Sequence, residues 1–215
     1  SFANNEEILI VVDNLGKFYA IDVNSGELLW EKTNSSPFNS QVKIYKDKFF
    51  VIDFDNVLKC YSIKNGSQIW QFKTEKSFIK SQKKLSLLIV NKKIIFNNSL
   101  GDITSVDIET GRMVWQKPTQ TSSLYEDTFS LKTSDLIASN DLILFSNNKN
   151  EFYSLDIKTG TLIWEQKINS ITRPSISDNL VFTVTNEGFL VIIESKSGNI
   201  IRITNIFDKI KEKKR

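Results

Sequence analysis

One phrase recurs along the chain and constrains its fold more than any other feature: AIDVNSGELLW (Ala20 to Trp30), CYSIKNGSQIW (Cys60 to Trp70), SVDIETGRMVW (Ser105 to Trp115) and SLDIKTGTLIW (Ser154 to Trp164). All four tryptophans of the sequence close a copy. A fifth copy, IIESKSGNIIR (Ile192 to Arg202), keeps the glycine and ends in arginine. Gly26, Gly66, Gly111, Gly160 and Gly198 thus follow one another at steps of roughly 40 residues, the period of a β-propeller blade.

Each copy has a direct physical reading. Apolar and polar residues alternate before the glycine (Phe18, Ala20, Asp22; Ile103, Ser105, Asp107), and a short aliphatic run follows it. That pattern predicts two half-buried strands joined by a tight turn. Glycine is required because the turn needs positive φ at its last position, and Asp22, Asp107 and Asp156, four residues earlier, are placed to accept turn N–H groups. These carboxylates therefore read as structural. Upstream of each phrase lies another strand: Ile8 to Asp13, Lys48 to Asp53, Lys93 to Asn97, Leu142 to Ser146 and Leu180 to Thr185. Before that comes a weaker one: Gln41 to Tyr45, Leu85 to Val90, Asp135 to Ala138 and Arg173 to Ile176. Four short strands per period, without helical periodicity, make one blade of an all-β propeller.

The phrase A-x-D-x-x-[ST]-G-x-x-x-W, matched fully at Ala20 to Trp30, resembles the tryptophan-docking repeat of the quinoprotein-like, or PQQ-repeat, propellers. The resemblance covers residues 8 to 204. That superfamily includes quinone-dependent alcohol dehydrogenases and the non-enzymatic BamB-like lipoproteins of outer-membrane β-barrel assembly, usually built as eight-bladed rings. It implies that Trp30, Trp70, Trp115 and Trp164 sit on outermost strands and dock against the turn glycines of neighbouring blades. The sequence supplies no strand before Ile8, so about four and a half blades of such a ring are expected in residues 1–204, completed by further blades or by another copy of the chain. Residues 205–215 form a basic segment in which Ile206, Phe207 and Ile210 have the spacing of a helical stripe.

Composition narrows the function. The absence of histidine excludes Ser-His-Asp and Cys-His catalysis, histidine acid–base chemistry and most zinc sites. Cys60 occupies the strand position of Ala20 and Ser105, which reads as a small buried residue and not a nucleophile. Net charge is only +3, with basic and acidic residues interspersed outside Lys209 to Arg215, so nucleic acid is not an expected partner. No stretch is long and apolar enough to be a transmembrane helix; membrane association would come through an anchor or partner outside this sequence. The start at Ser1 reads as that of a mature form or an excised piece.

The resemblance to quinone enzymes raises a cofactor option, in which a tryptophan floor, an arginine and a calcium held by Glu, Asn and Asp would carry a quinone. The docking positions use all four tryptophans, and Asp13, Asp53, Asp55 and Asp102 at strand ends are the acids open to a cation. The reading preferred from sequence is a scaffold with no cofactor, metal or catalytic residue: a periplasmic, BamB-like module holding a protein of the outer-membrane assembly machinery. A fragment of a quinone-dependent dehydrogenase is the alternative. Partner-binding candidates lie where the repeat is stretched. Tyr125, Glu126, Asp127 and Phe129 fall in the longest insertion, between Pro118 and Asp135. Phe78 centres the basic loop Thr74 to Lys84, and Arg173 falls on a weak inner strand. Aromatic anchors with charged surrounds are a usual interface composition.

Overall fold

The computed structural model describes residues 1–75, 84–119 and 131–208. The chain divides into two compact units, Ser1–Ser123 and Leu124–Arg215. In the first, three antiparallel sheets follow in chain order: β1 (Phe2–Asn4), β2 (Ile8–Val12), β3 (Lys17–Asp22) and β4 (Leu28–Thr33); β5 (Lys43–Tyr45), β6 (Lys48–Ile52), β7 (Val57–Ser62) and β8 (Gln68–Lys73); β9 (Leu87–Val90), β10 (Lys93–Asn97), β11 (Ile103–Asp107) and β12 (Met113–Lys117). The second unit holds two more: β13 (Ile137–Ser139), β14 (Leu142–Ser146), β15 (Phe152–Asp156) and β16 (Leu162–Gln166); β17 (Ser175–Ser177), β18 (Leu180–Val184), β19 (Phe189–Glu194) and β20 (Ile200–Asn205). Each sheet is a meander in which every strand pairs with its sequence neighbour.

The first blade corrects the sequence expectation. Residues 2–4 do supply an inner strand, pairing Phe2 with Val11 and Asn4 with Leu9, so the described residues form five complete blades where about four and a half were expected. Three residues carry too little alternation to announce a strand, yet inner strands here are uniformly short. The inner strand of the last blade likewise starts at Ser175, leaving Arg173 in the preceding connector.

The middle strands also differ from the expected half-burial. Every residue from Val57 to Tyr61 is buried, as are Ile103 to Val106 and Phe152 to Leu155. In the first unit the second blade has a neighbour on each side and buries both faces, so its strand alternation selects between two neighbours and not between core and water. Phe49, Val51, Tyr61 and Ile63 join Ile10, Val12, Phe18 and Ala20 of the first blade. The intervening Phe50, Ile52, Leu58 and Cys60 join Leu87, Ile94, Phe96 and Val106 of the third. In the second unit Leu144, Phe152 and Trp164 pack against Val181, Val191 and Ile193. Each fully buried Val, Leu, Ile or Phe among them contributes about 1.5–3 kcal/mol by leaving water.

Every outer strand carries one bulge, immediately before the tryptophan position: Ala20 pairs Trp30, whereas Ile21 pairs Leu28, and the same slip recurs at Cys60, Ser105, Ser154 and Ile192. The extra residue bends the outer strand, increasing its twist.

Candidate functional site

The phrase builds a repeated dock. At its turn, Asp22 Oδ1 accepts the backbone N–H groups of Asn24 and Ser25 and the Ser25 hydroxyl, while Gly26 N–H donates to the Asp22 carbonyl at 2.9 Å. Asp107 and Asp156 make the corresponding contacts with Glu109 and Thr110, and with Lys158 and Thr159. Hydrogen bonds from Ser25, Thr110 and Thr159 hold these three carboxyls below the usual carboxylate range. The turn glycines have φ between 66° and 76°.

Indoles lie on those glycines. A β-carbon built on Gly66 would stand 2.8 Å from Trp30 Cζ3, one on Gly111 2.6 Å from Trp70 Cε3, and one on Gly198 2.7 Å from Trp164 Cδ2. Trp30 Nε1 donates to the Ile63 carbonyl and Trp164 Nε1 to the Ser195 carbonyl, both at 2.8 Å and both three residues before the glycine. Trp70 Nε1 is buried without a hydrogen-bond partner among the described residues. Trp115 and Trp164 are buried and Trp30 and Trp70 half-buried; Gly160 occupies the same turn position, with its N–H on the Asp156 carbonyl.

A second repeated turn lies at the opposite end of the strands and was missed in the sequence. Asp13, Asp53, Asn98 and Asn147 each use Oδ1 to accept the N–H groups two and four residues on. The third residue on is left-handed: Gly16, Asn56, Gly101 and Asn150. In the fifth blade Thr185 and Gly188 take the two roles. The signal was present as [DNT]-x-x-[GN], stepping along the chain in parallel with the docking glycines. Chain leaving the outer strand crosses this turn, with Asn34 N–H on the Gly16 carbonyl and Thr74 N–H on that of Asn56. Turn and connector together form a rim.

In the first unit the rim is heavily cross-linked. Asn56 donates to the Glu75 carbonyl and to Ser99 Oγ, and accepts the Ser99 N–H at 3.1 Å. Lys59 lies buried 3.1 Å from Asp53 Oδ2 and reaches the Asn34 side chain of the preceding blade. Burial raises the Asp102 carboxyl above its usual range, and pushes the Cys60 thiol up to about 12, away from nucleophilic behaviour. A cavity of about 290 Å³ opens between Asp13, Asn14, Phe38, Ser40 and Lys84. In the second unit Asn169 donates to Glu187 and accepts from Asn186, both at 2.6 Å, and Arg173 stands exposed on the connector before β17. Phe78, Tyr125, Glu126, Asp127 and Phe129 lie outside the described residues.

Meander blades stapled by an indole on the next blade's glycine turn define a PQQ-repeat β-propeller. Residues 2–204 match the family model described as outer membrane protein assembly factor BamB, and the chain belongs to that family. Among solved structures it is similar to BamB from Moraxella catarrhalis, with TM-score 0.81 and 17% identity, covering 93% of this chain and 61% of that one. It is also similar in fold to the computationally designed Ika8 protein (TM-score 0.72, 16% identity, 95% of this chain and 60% of that one). A europium-containing methanol dehydrogenase shares the fold too (TM-score 0.76, 13% identity, 95% of this chain and 50% of that one). The chain thus spans less than two thirds of the length of these structures. No curated protein sequence matches it significantly.

Proposed function

We propose that this chain is a non-catalytic binding scaffold of the BamB type, which holds a protein of the outer-membrane assembly machinery in the periplasm through its connector rim. The family match over residues 2–204 carries the reading. The use of the carboxylates supports it. Asp13 and Asp53 spend Oδ1 on turn N–H groups, Asp53 Oδ2 faces Lys59, and Asp102 faces Asn98. Among the described residues no three Asp, Glu or Cys side chains gather to hold a metal ion. Three of the four indoles lie against turn glycines, not over a common site. These side chains do not fit a calcium–quinone centre.

The test has two arms. Binding of the immobilised chain to purified components of the β-barrel assembly machinery is measured by surface plasmon resonance, with Arg173→Glu expected to weaken it about tenfold if the exposed guanidinium meets a partner carboxylate. Thermal unfolding is then followed with pyrroloquinoline quinone and calcium, which are expected to leave the melting temperature unchanged. A ligand of the folded state raises that temperature by mass action, so a rise of several degrees would establish the dehydrogenase reading instead.

A further inference from the structure

At the end of each blade opposite the rim, the hairpin joining the first two strands lies beside the docking turn. In the second and third blades Ile63 N–H donates to the Asp47 carbonyl and Ile108 N–H to that of Lys92. Lys48, the first residue of β6, forms an ion pair with Glu109 of the third blade's docking turn, and Trp70 lies on Gly111, so the four turns make one continuous surface. Its charge is one-sided. Residues 45–48, 62–67, 90–93 and 107–112 hold six bases, Lys46, Lys48, Lys64, Lys92, Lys93 and Arg112, against the acids Asp47, Asp107 and Glu109. Asp107 is engaged in capping its turn and Glu109 by Lys48, whereas Lys46, Lys64, Lys92 and Arg112 are exposed.

The backbone singles out two of these lysines. Lys46 and Lys92 sit in hairpin loops at φ 54° and 57°. Left-handed backbone favours glycine, asparagine or aspartate, and the first loop position in the third, fourth and fifth blades is Asn91, Asn140 and Asp178, each left-handed too. Folding alone does not ask for lysine there. What the two side chains add is charge, with the Lys46 ammonium 5.3 Å from the centre of the Tyr45 ring. The equivalent turns elsewhere are not basic. In the fourth and fifth blades Lys158 and Lys196 stand against Asp141, Asp156, Asp178 and Glu194, and Lys158 is paired with Asp141. The turns of the first blade, which packs against the second, carry Glu6, Glu7, Asp22 and Glu27 and no base.

We propose that the hairpin end of the second and third blades is a docking surface for an acidic segment of a protein partner, whose carboxylates pair with Lys46, Lys64, Lys92 and Arg112. The charge pattern selects a peptide over a membrane. A flat anionic bilayer laid on this end would also meet the acids of the first blade, whereas a segment crossing two blades meets only the basic stretch. Arg112 can hold a carboxylate through two parallel N–H groups, and the lysines supply point charges around it. The surface is separate from the connector rim, at the opposite end of the strands.

Fluorescence anisotropy of labelled decaglutamate mixed with the full chain tests this. Saturable binding is expected at low salt, weakening as ionic strength rises. Lys46→Asn combined with Lys92→Asn, which gives both loops a residue their backbone favours, weakens binding about tenfold while the melting temperature holds or rises. Lysines with a merely structural role would lower the melting temperature instead. Lys46→Arg with Lys92→Arg keeps the binding. Lys158→Asn with Lys196→Asn makes the same change of net charge in the second unit and leaves binding unchanged, and so does Arg173→Glu on the rim, so this surface and the rim fail or succeed separately. No saturable binding at low salt, or an equal loss from the second-unit pair, overturns the proposal. So does a chain that ignores decaglutamate but sediments with phosphatidylglycerol vesicles through Lys46 and Lys92, which would assign the surface to anionic lipid.

Discussion

Gly26 and Gly111 form a matched pair that isolates the energy of docking. Both are left-handed, at φ 74° and 68°, and both close a turn capped by the aspartate four residues earlier. Substituting alanine at Gly26 adds a β-carbon to left-handed backbone with open space around it, at a cost of about 1–2 kcal/mol. Substituting alanine at Gly111 adds the same strain and brings that carbon to 2.6 Å from Trp70 Cε3 and 2.7 Å from Cδ2. Ordinary carbon contacts are about 3.5–4.0 Å, so the indole must retreat by about 1 Å. Overpacking of this kind costs about 1–3 kcal/mol, which brings Gly111→Ala to a total of about 2–5 kcal/mol. Urea unfolding followed by far-ultraviolet circular dichroism measures both variants, with an unchanged slope as the condition for comparing midpoints. In a cycle with Trp70→Ala the excess at Gly111 disappears, since the ring it collides with is gone. Equal losses at Gly26 and Gly111, within about 0.5 kcal/mol, would refute the docking energetics.

The buried pair at the first unit's rim gives a second test. Lys59→Met leaves Asp53 buried beside an apolar chain and is expected to cost about 3–5 kcal/mol by urea unfolding. Adding Asp53→Asn, which removes the stranded charge and keeps an oxygen for the turn N–H groups of Asp55 and Val57, recovers most of it. Acid is the third. Asp22, Asp107 and Asp156 are held below their ordinary pKa by turn hydrogen bonds, so the folded state binds their protons less readily than the unfolded state does. Their contribution to stability is complete above the unfolded carboxylate pKa, about 3.9, and is lost as pH falls through the lower folded values. Urea midpoints measured from pH 5 down to pH 2.5 are expected to fall less steeply in the triple Asp→Asn variant than in the parent chain.

The blades were legible because their strongest signals are local. A glycine that must be left-handed, an acid four residues before it and a tryptophan four after it lie within a single phrase, so Gly66 and Asp107 could be assigned from spacing, and the docking of Trp164 from the family resemblance that the phrase carries. What escaped depended on partners distant in sequence or on strands too short to show a period. The Phe2–Asn4 strand exists because Leu9 and Val11 stand ready to pair with it. The full burial of Leu58 and Tyr61 reflects blades on both sides, which no pattern within β7 could announce, and Thr104 and Ser105 are fully buried too. Their hydroxyls lack hydrogen-bond partners among the described residues, although Ala20 shows that the position beside the tryptophan needs none. The bulge before each tryptophan was hidden for a similar reason, since it is a property of two strands in register and the sequence displays one at a time.

The candidate site was less legible than the fold, and the cause lies in what the acids do. Read singly, Asp13, Asp53 and Asp102 at strand ends look like metal ligands in waiting. Read together with Asn98, Asn147 and Thr185, Asp13 and Asp53 belong to a turn series in which an amide or hydroxyl serves as well as a carboxylate, and Asp102 supplies an N–H that Asn98 accepts. A position that accepts Asp, Asn or Thr is selected for a hydrogen-bond acceptor and not for charge, and in each of these turns that oxygen is already occupied by a backbone N–H. The repeat thus assigns most of the chain's distinctive side chains to holding blades together, and on the scaffold reading proposed above recognition falls to the segments the repeat does not dictate, the connectors whose lengths vary from blade to blade.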